Sequence, residues 1–422
     1  MQYSTNVLVV LSTLCLMVVC YIRSLGHGGS EQGLFARSVD VVQKYDLLRG
    51  RNVIGKLKFS TNTFDEIVMS RNDTVDQQVL DADGVVQREN ATILMLVRNW
   101  ELQGALESMR SLEDRFNRNF HYSWTFLNDV PFERDFIEAT TAMASGPTYY
   151  GIVPADVWDC PASIDQTQMN RSLTLMKEQG VVHGGSLSYR NMCRFNSGYF
   201  FKHKLLIDYD YYFRVEPNVE YFCDFPYDPF KVMREKQKKY GFVISLYEYE
   251  DTIPTLWDAV EEYIELYEEE VGLDFENNAY NFITDKDIIG KTYQVIDSDS
   301  DYNLCHFWSN FEIGDLNFYR SDRYLEFFKF LEEKGGFYYE RWGDAPVHTI
   351  AAALLLNRNE IIHFDEIGYL HSPFLTCPTS YYLRIMQRCQ CDFKDELNID
   401  VLSNSCLPRW WKHGSGKTFL KE

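Results

Sequence analysis

Residues 91–97 read Ala91-Thr92-Ile93-Leu94-Met95-Leu96-Val97. The run is apolar, of strand length and free of charge, as expected of a strand buried on both faces. Directly after it, Leu102, Ala105, Leu106, Met109, Leu112 and Phe116 share one helical face. A buried strand feeding an amphipathic helix is the building unit of an α/β sheet with helical cover. The alternation continues outward. Residues 122–127 predict a second strand, and Asp129-Val130-Pro131 predicts a helix start, a capping carboxylate followed by an early proline. Further strands are expected at 211–215, 241–246 and 360–364. A long helix is expected over 255–271, with Leu256, Trp257, Val260, Tyr263, Ile264 and Tyr267 as its stripe and Gly272 as its stop. The Glu268-Glu269-Glu270 run reads as its solvated face. Another helix starts at Asp344-Ala345-Pro346. No repeat and no Pro-, Gly- or Ser-rich break divides residues 89–422, so one large α/β unit with a mixed central sheet flanked by helices is expected.

The termini and the charge set the surroundings. The chain of 422 residues carries 41 Lys+Arg against 62 Asp+Glu, a net charge of −21. Such a field argues against nucleic acid as a partner. A phosphate-bearing small ligand would need local positive charge or a metal. Residues 1–5 precede an apolar run that we read, over residues 6–23, as a single transmembrane signal anchor. It is long enough for a hydrocarbon core of about 30 Å and longer than the usual region of a cleaved signal peptide. Residues 24–88, polar and weakly periodic, read as a stem, with the catalytic body at 89–422. Sequons at Asn72, Asn90 and Asn170, and eight cysteines beyond the anchor, fit a lumenal body with disulfides behind a short cytosolic tail.

Dinucleotide, P-loop, nucleophile-elbow and H-E-x-x-H motifs are absent. Four polar segments remain. In Arg214-Val215-Glu216-Pro217-Asn218 the proline should end a strand and present Glu216 at a loop, where α/β proteins bind ligands; alone, Glu216 reads first as a surface carboxylate. In His306-Phe307-Trp308-Ser309-Asn310-Phe311-Glu312-Ile313, Glu312 stands among aromatics, so it is either partnered or functional. Gly335 to His348 mixes aromatics with Glu340, Arg341, Asp344 and His348; Asp344 reads as a helix cap and Glu340–Arg341 as structural. His371, before Ser372-Pro373, sits in a loop where a histidine serves as ligand or base.

Together the segments R-V-E-P-N-V, H-F-W-S-N-F-E-I, G-G-F-Y-Y-E-R-W-G-D-A-P-V-H and I-G-Y-x-H-x-P-F resemble the fungal Golgi α-1,2-mannosyltransferases of glycosyltransferase family 15, over about residues 89–390. The resemblance implies a GT-A-like nucleotide-sugar fold and retaining transfer of mannose from GDP-mannose to mannose-terminated N- or O-linked glycans of glycoproteins, with Mn2+ as cofactor. It also implies that Glu216 and His371 are metal ligands and that Glu312 is the nucleophile or the stabiliser of an oxocarbenium-like centre. Tyr189, in Ser188-Tyr189-Arg190-Asn191, would stand near that nucleophile, and Arg98 would contact the nucleotide. Residues 265–301 look longer and more acidic than in the family and are expected to form a surface loop. A lectin-like protein without catalysis, or a hydrolase pairing Glu312 with Glu340 or Asp344, are the competing readings.

Overall fold

A computed structural model of the chain describes residues 66–69, 88–287 and 300–415, all within one compact unit that begins at Lys58. The anchor, Asn72, most of the stem and residues 288–299 lie outside the described residues, and no helix among those described is long and apolar enough to cross a membrane.

Among the described residues thirteen strands follow one another as β1 Glu66–Met69, β2 Ala91–Leu96, β3 Ser123–Asn128, β4 Thr148–Ile152, β5 Tyr211–Arg214, β6 Val219–Tyr221, β7 Tyr240–Phe242, β8 Ser245–Tyr247, β9 Cys305–Phe307, β10 Glu312–Asp315, β11 Ile361–His363, β12 Tyr369–His371 and β13 Phe374–Thr376. The main sheet has the order β1-β4-β3-β2-β5-β10-β7-β11. It is mixed: β2, β3, β4 and β5 run parallel, while β10 lies antiparallel between β5 and β7. This is the expected α/β architecture, with one addition. The outermost strand, β1, falls inside the segment read as stem and pairs with β4.

The helices that matter here are α1 Leu102–Leu112, α2 Arg134–Met143, α3 Leu187–Gly198, α4 Leu256–Val271, α5 Asp322–Lys334, α6 Asp344–Leu355 and α7 Leu407–His413. In α4 the predicted stripe is the buried one, with Leu256, Val260 and Tyr263 fully covered. It stops at Gly272, whose φ of +65° is a left-handed conformation that costs a side-chain-bearing residue energy. Every residue of α6 is buried, so its run of alanines and leucines is a central helix and not an amphipathic one.

Four local expectations are corrected. The helix predicted to start at residues 129–131 starts at Arg134, capped by Glu133 in extended conformation. The strand predicted over 241–246 is two, β7 in the main sheet and β8 paired with β9. Residues 265–301 do not form one surface loop. Their first part completes α4, and Phe282 and Ile283, on a short helix, are fully buried. Of the eight cysteines, six pair as Cys223–Cys389, Cys305–Cys406 and Cys377–Cys391, while Cys160 and Cys193 are free.

Candidate active site

Three parallel strands end at one place. Arg98 lies two residues beyond β2, Asn128 closes β3, and Glu216 lies two residues beyond β5. This carboxyl-end crevice is where open α/β sheets bind ligands. It is a cleft of about 300 Å³ whose walls include Arg98, Trp100, Asn128, Tyr189, Asn196 and Glu216.

Arg98 forms an ion pair with Asp129 and donates to Ser188 Oγ at 2.9 Å and Asn128 Oδ1 at 3.3 Å. Its guanidinium lies 4.9 Å from the Trp158 ring centroid. Burial lowers its pKa, against the attraction of Glu101. Tyr189 is in the first turn of α3, which Ser186 caps through the Tyr189 N–H. Its ring stacks on His183 at 4.3 Å, and Arg341 donates to its hydroxyl at 3.3 Å. Burial pushes that hydroxyl well above the usual tyrosine range, so it stays protonated.

Glu216 and His371 come together because β12 pairs with β6, with His371 opposite Val219. Glu216 Oε2 and His371 Nε2 are 3.6 Å apart, and both side chains are 28% exposed. The Trp308 ring stands edge-on to the imidazole at 4.6 Å. Nδ1 of His371 lies 3.1 Å from the Ser372 carbonyl, which can only accept, so Nδ1 carries the proton. Nε2 is then the ring atom turned to the carboxylate. Burial raises the Glu216 pKa, but Arg214, donating to Oε1 at 2.5 Å, and His371 bring it down to about 2. A carboxylate and an imidazole suit a divalent ion such as Mn2+. Among the described residues no group of three His, Cys, Asp or Glu forms a metal site, so a cation held here needs ligands from elsewhere.

Glu312 opens β10 and is 1% exposed. It does not line the cleft. It lies under it, accepting from the Tyr212 hydroxyl, from the Tyr240 hydroxyl at 2.6 Å and from His348 Nδ1 at 2.8 Å. The sheet register builds this nest. Gly314 faces Tyr212 on β5 and Tyr240 on β7, two residue pairs along from Glu312 opposite Arg214. A Cβ at Gly314 would stand 2.5 Å from the Tyr212 ring, so the glycine is what lets that ring lie across the strand toward Glu312. Burial raises the Glu312 pKa, but His348 and Arg214 outweigh it and hold the group ionised. Arg214 links the two carboxylate centres, since it pairs with Glu216 and, opposite Glu312 in the sheet, helps hold Glu312 ionised.

The structure therefore brings Arg98, Tyr189 and Glu216 to one crevice, sets His371 beside Glu216, and buries Glu312 next to the lining residue Arg214. Asp344 is not the cap predicted: it is the first residue of α6, capped by Gly343, and its carboxylate engages Arg214 and Ser309 Oγ. Glu340 accepts from Trp342 Nε1 at 2.6 Å and Thr255 Oγ1 at 2.7 Å, a structural role. That Tyr212, Arg214, Tyr240 and His348 support the two carboxylates escaped the sequence reading. The period-two spacing of Tyr212 with Arg214 and of Glu312 with Gly314 was the available signal.

A mixed α/β sheet with an arginine and a carboxylate at its strand ends, and an imidazole brought beside that carboxylate by a small second sheet, is the architecture of a GT-A-like glycosyltransferase fold. Residues 53–415 match the family described as glycolipid 2-alpha-mannosyltransferase, and the chain belongs to that family. It is 60% identical over 409 residues to the probable mannosyltransferase KTR2 of Saccharomyces cerevisiae, covering 97% of this chain and 93% of that one. It is 48% identical over 305 residues to the α-1,2 mannosyltransferase KTR1 of the same yeast, covering 72% and 74%. Among solved structures, core-mannan synthase A (CmsA/Ktr4) of Aspergillus fumigatus in its Mn/GDP form superposes with a TM-score of 0.73 at 34% identity, covering 86% of this chain and 99% of that one. The mannosyltransferase Ktr4p of S. cerevisiae in complex with GDP gives 0.72 at 38% identity, covering 78% and 83%. This chain is accordingly a mannosyltransferase, and the lectin and hydrolase readings find no support.

Proposed function

We propose that the chain transfers mannose from GDP-mannose to the 2-hydroxyl of a mannose at a glycan end, with retention of the α configuration and with Mn2+ at Glu216 and His371. The observation that carries this reading is the Glu216–His371 pair, 3.6 Å apart and part-exposed beside the cleft. Bound there, Mn2+ supplies the positive charge that stabilises a leaving diphosphate.

The chain's own groups do the rest. Arg98 offers a guanidinium to the nucleotide at the end of β2. Tyr189, protonated, walls the cleft as a neutral donor. In the transfer the bond from mannose C1 to the diphosphate oxygen breaks and a bond to the acceptor oxygen forms, and the acceptor proton leaves with GDP. Glu312 contributes a fixed negative charge beneath the reacting carbon. Its three donors and 1% exposure favour electrostatic stabilisation of an oxocarbenium-like centre over covalent attack, which would first have to uncover an oxygen.

We place the protein in the Golgi membrane, with residues 6–23 as anchor, residues 24–88 mostly as stem, and the folded body in the lumen. The disulfides, and the exposed positions of Asn90 and Asn170, support that side of the membrane. Glycoprotein mannans of N- or O-linked type are the expected acceptors.

The test uses the full chain in detergent with GDP-mannose and α-methyl mannoside, with Mn2+ or with EDTA, and reads the product by NMR. An α-1,2-linked disaccharide formed only with metal is the expected result. A β-linked product, or equal turnover in EDTA, would overturn the retaining, metal-assisted reading.

A further inference from the structure

We propose that His348 is a positioning residue for the transfer: clamped as an imidazolium between Glu312 and the Asn196 carbonyl, it holds Glu312 as an oriented anion beneath the cleft. The inference rests on the proposed role of Glu312 in catalysis.

The geometry of both ring nitrogens carries it. His348 Nε2 lies 3.0 Å from the Asn196 backbone oxygen, which only accepts, so Nε2 bears a proton. Nδ1 lies 2.8 Å from Glu312 Oε2. That same oxygen accepts from Tyr240, and Oε1 accepts from Tyr212. Between Nδ1 and Oε2 there is therefore one proton to place. On nitrogen it makes an ion pair; on oxygen it makes two neutral groups.

The surroundings decide for nitrogen. The groups that face the pair are Tyr212 and Arg214 from β5, Tyr240 from β7, Tyr319 and Tyr324 from the helical layer, and Asp344 one turn earlier on α6. All four tyrosines are held well above their usual range by burial and by Glu312, so none competes as an anion. Burial and Arg214 work against the His348 charge, but Glu312 and Asp344 outweigh them and raise its pKa. Asn196, whose carbonyl takes the other proton, also lines the cleft. The histidine thus joins the buried anion to the cleft wall.

A purely structural reading explains this arrangement poorly. A buried ion pair in an aromatic core costs desolvation that well-packed apolar side chains avoid. Removing only the imidazolium leaves Glu312 buried with two phenols and a share of Arg214, which already serves Glu216 and Asp344. Burial then raises its pKa, and the ionised fraction falls on the acid side.

The experiment follows kcat and KM of the full-length protein with GDP-mannose from about pH 5 to 9, for wild type, Glu312→Gln and His348→Asn. We expect the acid limb of kcat to move up by at least about one pH unit in His348→Asn, a loss of about tenfold or more on the acid side that recovers as pH rises. KM for GDP-mannose should stay within about twofold, because Glu312 lies outside the nucleotide cleft. If Glu312→Gln is inactive and His348→Asn keeps the wild-type pH profile, this inference fails alone. If Glu312→Gln turns over normally, the proposed role of Glu312 fails and this inference with it. Should His348→Asn not fold, 15N-histidine spectra of the wild type decide: a doubly protonated ring through about pH 8 upholds the clamp, and a neutral ring at pH 7 overturns it.

Discussion

The two carboxylates at the centre of this molecule are built in opposite ways. Glu312 is 1% exposed, and its hydrogen-bond donors are supplied by the chain. Glu216 is 28% exposed and shares its open side with a histidine exposed to the same extent. The first is finished when the protein folds. On the proposed function, the second is finished only when a cation and its remaining ligands arrive. The difference teaches where the fold spends its precision: a charge that must act at a fixed point is surrounded, while a charge that must exchange ligands is left half-open. Arg214 touches Glu216 directly and sits close enough to Glu312 to stabilise its charge, so the two centres share one electrostatic frame.

The strongest way to break this comparison is Glu312→Gln. The amide keeps the shape but loses the charge, and kcat should fall by about 10²–10³-fold while GDP affinity, read by calorimetry, stays near wild type. If GDP affinity fell in step with kcat, Glu312 would belong to the nucleotide site and the contrast would vanish. Next in size is the open pair. Glu216→Gln or His371→Ala should raise the Mn2+ concentration for half-maximal activity by roughly tenfold or more, since half of the chain's own ligand set is removed. A metal titration that overlays the wild type would take that residue out of the metal site.

The sequence made these two centres unequally legible. Glu216 announces itself locally, because Pro217 ends the strand and turns the carboxylate into a loop. The nest around Glu312 has no local signature. Tyr212 lies 100 residues away, Tyr240 72 and His348 36, and only sheet register and the packing of α6 bring them together. Long periodic elements were readable for the same reason: β2 and α4 declare themselves within one window of sequence. Short strands did not. The three residues of β7 and the three of β8 merge into one apolar run on paper, yet they pair in different sheets. β1 was hidden because four residues within a polar segment carry too little pattern to call a strand. The acidic composition of residues 265–301 suggested exposure, but Phe282 and Ile283 anchor that stretch in the core.

A subtler test acts on the closed centre through its scaffold. Gly314→Ala places a methyl group 2.5 Å from the Tyr212 ring and 3.0 Å from Tyr319. Overpacking of this kind costs about 1–3 kcal/mol, measurable by denaturant unfolding. Displacing the Tyr212 ring should also lower kcat without changing the Mn2+ requirement. Were the metal response to change as well, the two centres would be coupled more tightly than their separate construction implies.

The smallest expected effect comes from a site remote from both. Asp285 accepts Lys412 Nζ at 2.6 Å and pairs with His413, tying the middle of the acidic stretch to α7. Burial raises its pKa, but Lys412 and His413 bring it down to about 2. A depressed carboxylate stabilises the fold above its unfolded value of about 3.9, and that contribution is lost as pH falls from there toward 2. Asp285→Asn should therefore cost about 1–2 kcal/mol near neutral pH and progressively less in acid. The Cys305–Cys406 disulfide still holds the start of α7, so the loss should appear as faster amide exchange in that helix and not as global unfolding. Both kcat and the Mn2+ titration should stay at wild type. A drop in either would mean that this end of the chain reaches the active centre, and that the Glu312 nest draws on more of the molecule than the strands and helices that touch it.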